Sequence, residues 1–204
     1  MAHFISIAGP QSAGKTTAFK YLSKKYAKRG ILFQMDMNPY IFKKSDHPRY
    51  ISTQDFQEDL NRETIKLLQS IDRNTDVIME NGPMQVVYIE AYSGKRKAEE
   101  YFRKYVKLLK SLDPVIIMVD AKPKLSFKRR INEYLRRIKK HKLQKQAQAI
   151  LDQYEKKIVD LYPLWNKWFK RFPFKKILIK NSYKKQGQFL AEIEKVINKI
   201  WRTS

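Results

Sequence analysis

The chain has 204 residues, enough for one sizeable core and short for two, and its 43% hydrophobic and 31% charged residues suit a globular fold. It has no cysteine, which excludes disulfides and thiolate metal sites, and no apolar run approaches the roughly 20 residues of a membrane-spanning helix. Lysine and arginine number 43 against 20 acids; the net charge of +23 favours anionic partners (nucleotides, nucleic acid or a membrane surface) without choosing among them, and solvated helix faces explain it equally well.

In chain order, short β-rich runs alternate with longer helical patterns. The expected strands are HFISIA (3–8), ILFQMD (31–36), DVIME (76–80), PVIIMV (114–119) and KKILIK (175–180). Several are nearly continuous apolar runs, as parallel strands covered on both faces require. The first helical pattern spans 16–29, with Phe19, Leu22 and Tyr26 on one face. The second, 53–71, opens on the capping-type Thr53 and runs Phe56, Leu60, Thr64, Leu67, Leu68, Ile71. A third covers 95–112, a long basic stretch runs from Pro123 to about Tyr162, and a last helix covers 187–201. This alternation predicts right-handed crossovers and a three-layer α/β/α sandwich around a parallel five-stranded sheet, one domain over 1–204 with a basic helical lid at about 122–150. The N-terminus enters a strand at once, without the basic and apolar regions of a signal peptide, so the cytoplasm is the expected compartment.

Between the first strand and the first helix stands GPQSAGKTT, residues 9–17. Gly9-x4-Gly14-Lys15-Thr16 is a full Walker A pattern in the strand–turn–helix context that such a loop needs. Its glycines let backbone N–H groups at Gln11, Ser12, Ala13 and Thr17 turn toward phosphate oxygens, and the helix N-terminus adds partial positive charge. Lys15 is placed to reach the β- and γ-phosphates and the Thr16 hydroxyl to ligate Mg²⁺. The loop therefore points to ATP with Mg²⁺ and to a P-loop NTPase fold.

Three uses of that phosphate compete: a small-molecule kinase, an ATPase or kinase directed at nucleic-acid ends, and a GTPase-type switch. The switch is disfavoured, since no Asn-Lys-x-Asp follows a later strand and no Asp-x-x-Gly follows the third. Two acids support the kinase. The second expected strand ends in Asp36 and the third in Glu80, and strand C-termini border the ligand crevice of an open parallel sheet. Glu80 suits the outer shell of Mg²⁺; Asp36 suits an acceptor hydroxyl whose proton it can take. Ordinary loop-capping acids are the alternative for both. In the basic stretch Arg130 and Arg137 lie two helical turns apart on one face, with Arg136 offset; they are the candidates to neutralise transition-state charge, and only Glu133 opposes them there. The other cations of the lid are solvated or bind a polyanion, the sign by which the nucleic-acid reading would be recognised. Tyr40, Phe42, Tyr50 and Phe56 either stack on a base or pack the core. The cluster YPLWNKWFKRFPF (162–174) reads as a helix end packed on the sheet, with a homodimer face as the other option. His3, His47 and His141 form no metal pattern.

On these residues the whole chain resembles the deoxynucleoside kinase and thymidylate kinase group of P-loop kinases. GPQSAGKTT looks like their phosphate loop. FQEDLNRETIKLLQS (56–70) is similar to the helix whose glutamine reads the base edge, which would be Gln57; with Asp36, Tyr40 and Glu80 it completes the expected substrate-binding set. VIMENGP (77–83) stands where the group has an acid–Arg pair, and residues 114–141 resemble its fourth strand and Arg-bearing lid helix. ILIKNS (177–182) resembles its last strand and adenine-contacting turn, Asn181 and Ser182. The resemblance implies ATP-dependent, Mg²⁺-assisted transfer to a nucleoside or nucleotide. Two positions depart from it: Asn81 replaces the Arg after the acid, leaving retention of transfer open, and Gln11 replaces the acid that thymidylate kinases carry in the loop. The start Pro-Gln-Ser (10–12) is also similar to kinases of the nicotinamide riboside type.

Overall fold

A computed structural model describes residues 3–35, 54–182 and 186–202, with the side chains of residues 54 and 55 excepted. Five parallel strands form one sheet in the order β2-β3-β1-β4-β5: β1 (Phe4–Ala8), β2 (Leu32–Gln34), β3 (Val77–Glu80), β4 (Pro114–Asp120) and β5 (Lys175–Lys180). The described helices are α1 (Lys15–Lys25), α2 (Gln54–Ser70), α3 (Val86–Leu109), α4 (Pro123–Lys140), α5 (Ala147–Arg171) and α6 (Gln186–Arg202).

Period-two alternation divides the core into two halves. Phe4 and Ala8 of β1, Val77 and Met79 of β3, and Ile116 and Met118 of β4 face one side, where α2, α3 and α5 cover them. Ile5, Ile7, Ile78, Val115, Ile117 and Val119 face the other, against α1 and α6. This is the expected three-layer sandwich. The last strand is not covered on both faces. β5 is a sheet edge, its Lys175, Lys176 and Lys180 are exposed, and charged residues on an edge discourage pairing with another chain.

Several boundaries move. The helix expected at 95–112 begins at Val86, after a 3₁₀ turn at Gly82–Gln85, and ends at Leu109. Gly94 breaks its geometry with a φ of 84°, which is why period counting across the break misses the first segment. α1 stops at Lys25, four residues short of the expected end. The basic stretch from Pro123 is two helices, α4 and α5, joined through a 3₁₀ turn at Gln144–Gln146. The cluster 162–174 is the end of α5 packed on the core, with Trp165, Trp168 and Phe172 buried in the α2/α3/α5 half. Thr53, Phe42 and Tyr50 lie outside the described residues. No described helix is long and apolar enough to cross a membrane.

Candidate active site

The strand order puts β1 between β3 and β4, so the loop leaving β1 rises among the C-terminal ends of three strands. Gly9, with φ 142°, lies so close to β4 that a Cβ would collide with the Val119 carbonyl oxygen. Gly14, with φ 104°, opens α1, and a Cβ there would come within 2.7 Å of the Asn181 amide nitrogen. Both positions need glycine for conformation and for space. Ser12 between them also takes a positive φ of 57°, a strain that side chains tolerate mainly where surrounding structure dictates it.

Asn181 clasps this loop from the far edge of the sheet. Its amide donates to the Ala13 carbonyl at 2.6 Å, its backbone N–H donates to the Asp120 carbonyl at 2.7 Å, and its own carbonyl accepts from Arg129 at 3.0 Å. The turn after β5 thereby joins the phosphate loop to the root of the lid helix. Ser182, its neighbour, is exposed.

Lys15 is only 7% exposed. Its ammonium donates to the Pro10 carbonyl at 2.9 Å and stands 5.8 Å from the centre of the Trp165 ring. Trp165 in turn meets Tyr88 of α3 edge-on at 5.7 Å. The α3–α5 contact is pinned by Glu90, whose carboxylate accepts from Trp168 Nε1 at 2.6 Å and from Lys167 at 2.7 Å. Trp165 is thus a floor for the phosphate-loop lysine, 150 residues away in sequence; periodicity marked it as core and nothing more.

The Thr16 hydroxyl donates to the Glu80 carboxylate. Glu80 is buried at the end of β3, which pairs with β1 in register Ile7–Glu80. A hydroxyl and a carboxylate oxygen side by side, next to a phosphate loop, fit a hard cation that keeps phosphate and water oxygens in its shell. The described residues include no group of three or more acids or histidines that would form a metal site by themselves.

Asn81 follows Glu80 with φ 56° and ψ −58°, outside the left-handed helical region and close to the rare, strained classic γ-turn. β1 holds its backbone on both sides: its N–H donates to the Ile7 carbonyl at 2.9 Å, and the Ser6 hydroxyl donates to its carbonyl at 2.8 Å.

On α2, Gln57 is 3% exposed and its side-chain oxygen has no hydrogen-bond partner. An orphaned buried acceptor costs about 1–3 kcal/mol unless a donor fills it. One and two turns on, Asn61 accepts from the Tyr105 hydroxyl at 2.7 Å, and the Thr64 hydroxyl donates to its own helix at the Leu60 carbonyl, 2.9 Å. Asp36 and Tyr40 lie outside the described residues.

The lid is organised by Glu133. Arg130 meets it at 3.1 Å and Arg137 also pairs with it; Arg137 is buried, while Arg136 points to solvent. The separation of Arg136 from the other two follows the expected helical faces. A link that sequence spacing did not suggest runs from the lid to the loop: the Tyr134 hydroxyl donates to the Gln11 side-chain oxygen at 3.3 Å. Tyr134 stacks on Tyr154 of α5 at 3.9 Å and carries the Arg130 guanidinium 5.7 Å from its ring centre. Burial pushes its phenol up to about 12, so it stays a donor throughout the neutral range.

The sequence model of the deoxynucleoside kinase family matches residues 5–201. The chain belongs to that family. As a member, this kinase is a P-loop enzyme that transfers a phosphoryl group to a nucleoside-like acceptor. Its fold is similar to that of YorR from Bacillus subtilis, solved with phosphorylated GDP, at 15% identity and a TM-score of 0.58 over 95% of each chain. Deoxyadenosine kinase from M. mycoides with bound dATP is similar at 19% identity and a TM-score of 0.53, covering 98% of this kinase and 99% of that chain. Shikimate kinase from Acinetobacter baumannii is similar at 16% identity and a TM-score of 0.50, covering 100% and 95%. At these identities the likeness is one of fold. Comparison with curated protein sequences finds no match.

Proposed function

We propose that the protein is an ATP-dependent, Mg²⁺-assisted kinase of a nucleoside or nucleotide, working in the cytoplasm. The observation that carries this is the Thr16–Glu80 pair beside the Walker A loop, because two hard oxygens next to a phosphate loop support a divalent cation bound together with the β- and γ-phosphates. Thr16 and Glu80 would hold Mg²⁺, which when bound neutralises phosphate charge. Lys15 exchanges the Pro10 carbonyl for β- and γ-phosphate oxygens, and Trp165 limits where its ammonium can go. The loop amides from Gln11 to Thr17 bind phosphates, with Asn181 holding the Ala13 carbonyl out of their way. Asn181 and Ser182 border the adenine. The buried acceptor oxygen of Gln57 supports base reading.

In the reaction the acceptor hydroxyl oxygen bonds to the γ-phosphorus as the bond from that phosphorus to the bridging oxygen breaks. ADP leaves and the hydroxyl proton passes to Asp36, with Tyr40 lining the acceptor side. Arg130 and Arg137 turn from Glu133 toward the transferring group as the lid closes.

The test is transfer of labelled γ-phosphate from ATP with Mg²⁺ to nucleosides, nucleoside monophosphates and 5′-hydroxyl oligonucleotides. Label on a small acceptor with little salt dependence supports the reading. Label on oligonucleotides, lost at high salt, replaces it with a polynucleotide kinase, to which the exposed Arg136, Lys139 and Lys140 of the lid would lend their charge.

A further inference from the structure

Lys157 is a cation that the proposed mechanism does not use. It extends from α5, its ammonium 5.1 Å from the centre of the Tyr92 ring on α3. It lies on the same face of α5 as Trp165, two turns away, and Tyr92 lies one turn from Tyr88 on α3. The same two helices therefore form two rungs, Tyr88–Trp165 and Tyr92–Lys157, and Lys15 rests against the first. Eight residues of α5 separate the rungs by about 12 Å along the axis.

Arg130 of the lid lies over the Tyr134 ring, which stacks on Tyr154, one turn before Lys157 on α5, so two like charges flank one aromatic pair. Among the described residues no carboxylate pairs with Lys157; Glu133 is taken up by Arg130 and Arg137. Burial and the Arg130 guanidinium push the Lys157 ammonium down to about 8. Two cations on one aromatic pair, the half-buried Lys157 lacking an acidic partner, are costly unless an anion visits them. Arg130 is in turn tied to the phosphate loop through the Tyr134 ring and the Tyr134–Gln11 hydrogen bond. The missing cation at Asn81 gives such a pair a task.

We propose that Lys157 and Arg130 form a phosphate seat between α3, α4 and α5, supplying the positive charge that Asn81 does not. This rests on the kinase reading above. The phosphate has two sources, the transferring γ-phosphoryl group or a phosphate already on the acceptor, and the experiment separates them.

Lys157→Met keeps the aliphatic stem and removes the charge; Lys157→Arg restores it. If the seat takes the transferring group, Lys157→Met lowers kcat at least about 100-fold with a nucleoside acceptor, the range of a lost transition-state donor, and Lys157→Arg recovers most of it. If it takes the acceptor's phosphate, the loss falls on KM and only with monophosphate acceptors. In both cases ATP affinity stays near wild type. Values of kcat and KM unchanged with every acceptor, in a variant of normal melting temperature, overturn the proposal. A second readout needs no turnover: in wild-type protein with ¹³C-methylated lysines, the resonance that is absent from Lys157→Arg moves on addition of ADP, Mg²⁺ and aluminium fluoride, or of a nucleoside monophosphate. If wild type transfers no label to any acceptor, the kinase reading fails by itself, and this resonance still decides: a shift upholds the phosphate seat and a stationary signal removes it.

Discussion

The Thr16 hydroxyl donates to the Glu80 carboxylate, joining the first turn of α1 to the end of β3 across 64 residues of chain. Glu80→Gln keeps a hydrogen-bond acceptor for Thr16 and removes the charge. The variant folds, binds ATP within a few-fold of wild type, and needs far more Mg²⁺ for a turnover reduced about 100-fold. A magnesium titration of phosphate transfer checks this; an unchanged magnesium requirement would reduce Glu80 to an α1-capping acid.

Asn181→Ala removes the donor that holds the Ala13 carbonyl. A buried carbonyl left without its partner costs about 1–3 kcal/mol, so the denaturation midpoint falls. The phosphate loop loosens with it, and ATP affinity drops several-fold. Denaturation with and without ATP separates the two effects. If stability falls while ATP affinity holds, Asn181 is a structural clasp alone.

Tyr134→Phe tests the link between lid and loop. The hydroxyl bonded to Gln11 disappears while the stack on Tyr154 stays, so the KM for ATP rises a few-fold with little loss of stability at neutral pH. The pH dependence has a definite sign. The folded-state phenol, raised to about 12, holds its proton where the unfolded chain loses it near 10. Its contribution to stability is present below pH 10 and is lost as pH rises toward 12. Between those values wild-type stability falls more steeply than that of Tyr134→Phe, and denaturant melts at pH 9 and 11 measure the difference.

Gln57→Leu separates function from stability. The unpartnered oxygen of Gln57 contributes nothing to the folded state, so the variant is at least as stable as wild type. The acceptor KM rises about 10-fold or more, since a base edge loses about one hydrogen bond to a buried group. A variant that loses stability with an unchanged acceptor KM would make Gln57 part of the core.

Much of this protein was legible in the chain itself. The phosphate loop occupies nine contiguous residues, and its shape follows from glycine conformations and a helix start that neighbouring residues specify. The strand positions follow from apolar runs, and the separation of Arg130 and Arg137 from Arg136 follows from 3.6 residues per turn. Gly94 defeated the same counting at the start of α3 because it resets the helical phase.

Tertiary structure alone decided which faces meet. Periodicity assigns a side chain to the inside and does not name its neighbour. Trp165 reads as core, and only the packing of α5 against α3 sets it beside Lys15. Asn181 reaches Ala13 because β5 and β1 flank β4, a consequence of sheet order. Lys157 is an unremarkable member of a basic sequence until the helices fold together; burial, which depends on every neighbouring element at once, is what pushes its ammonium below the usual lysine range.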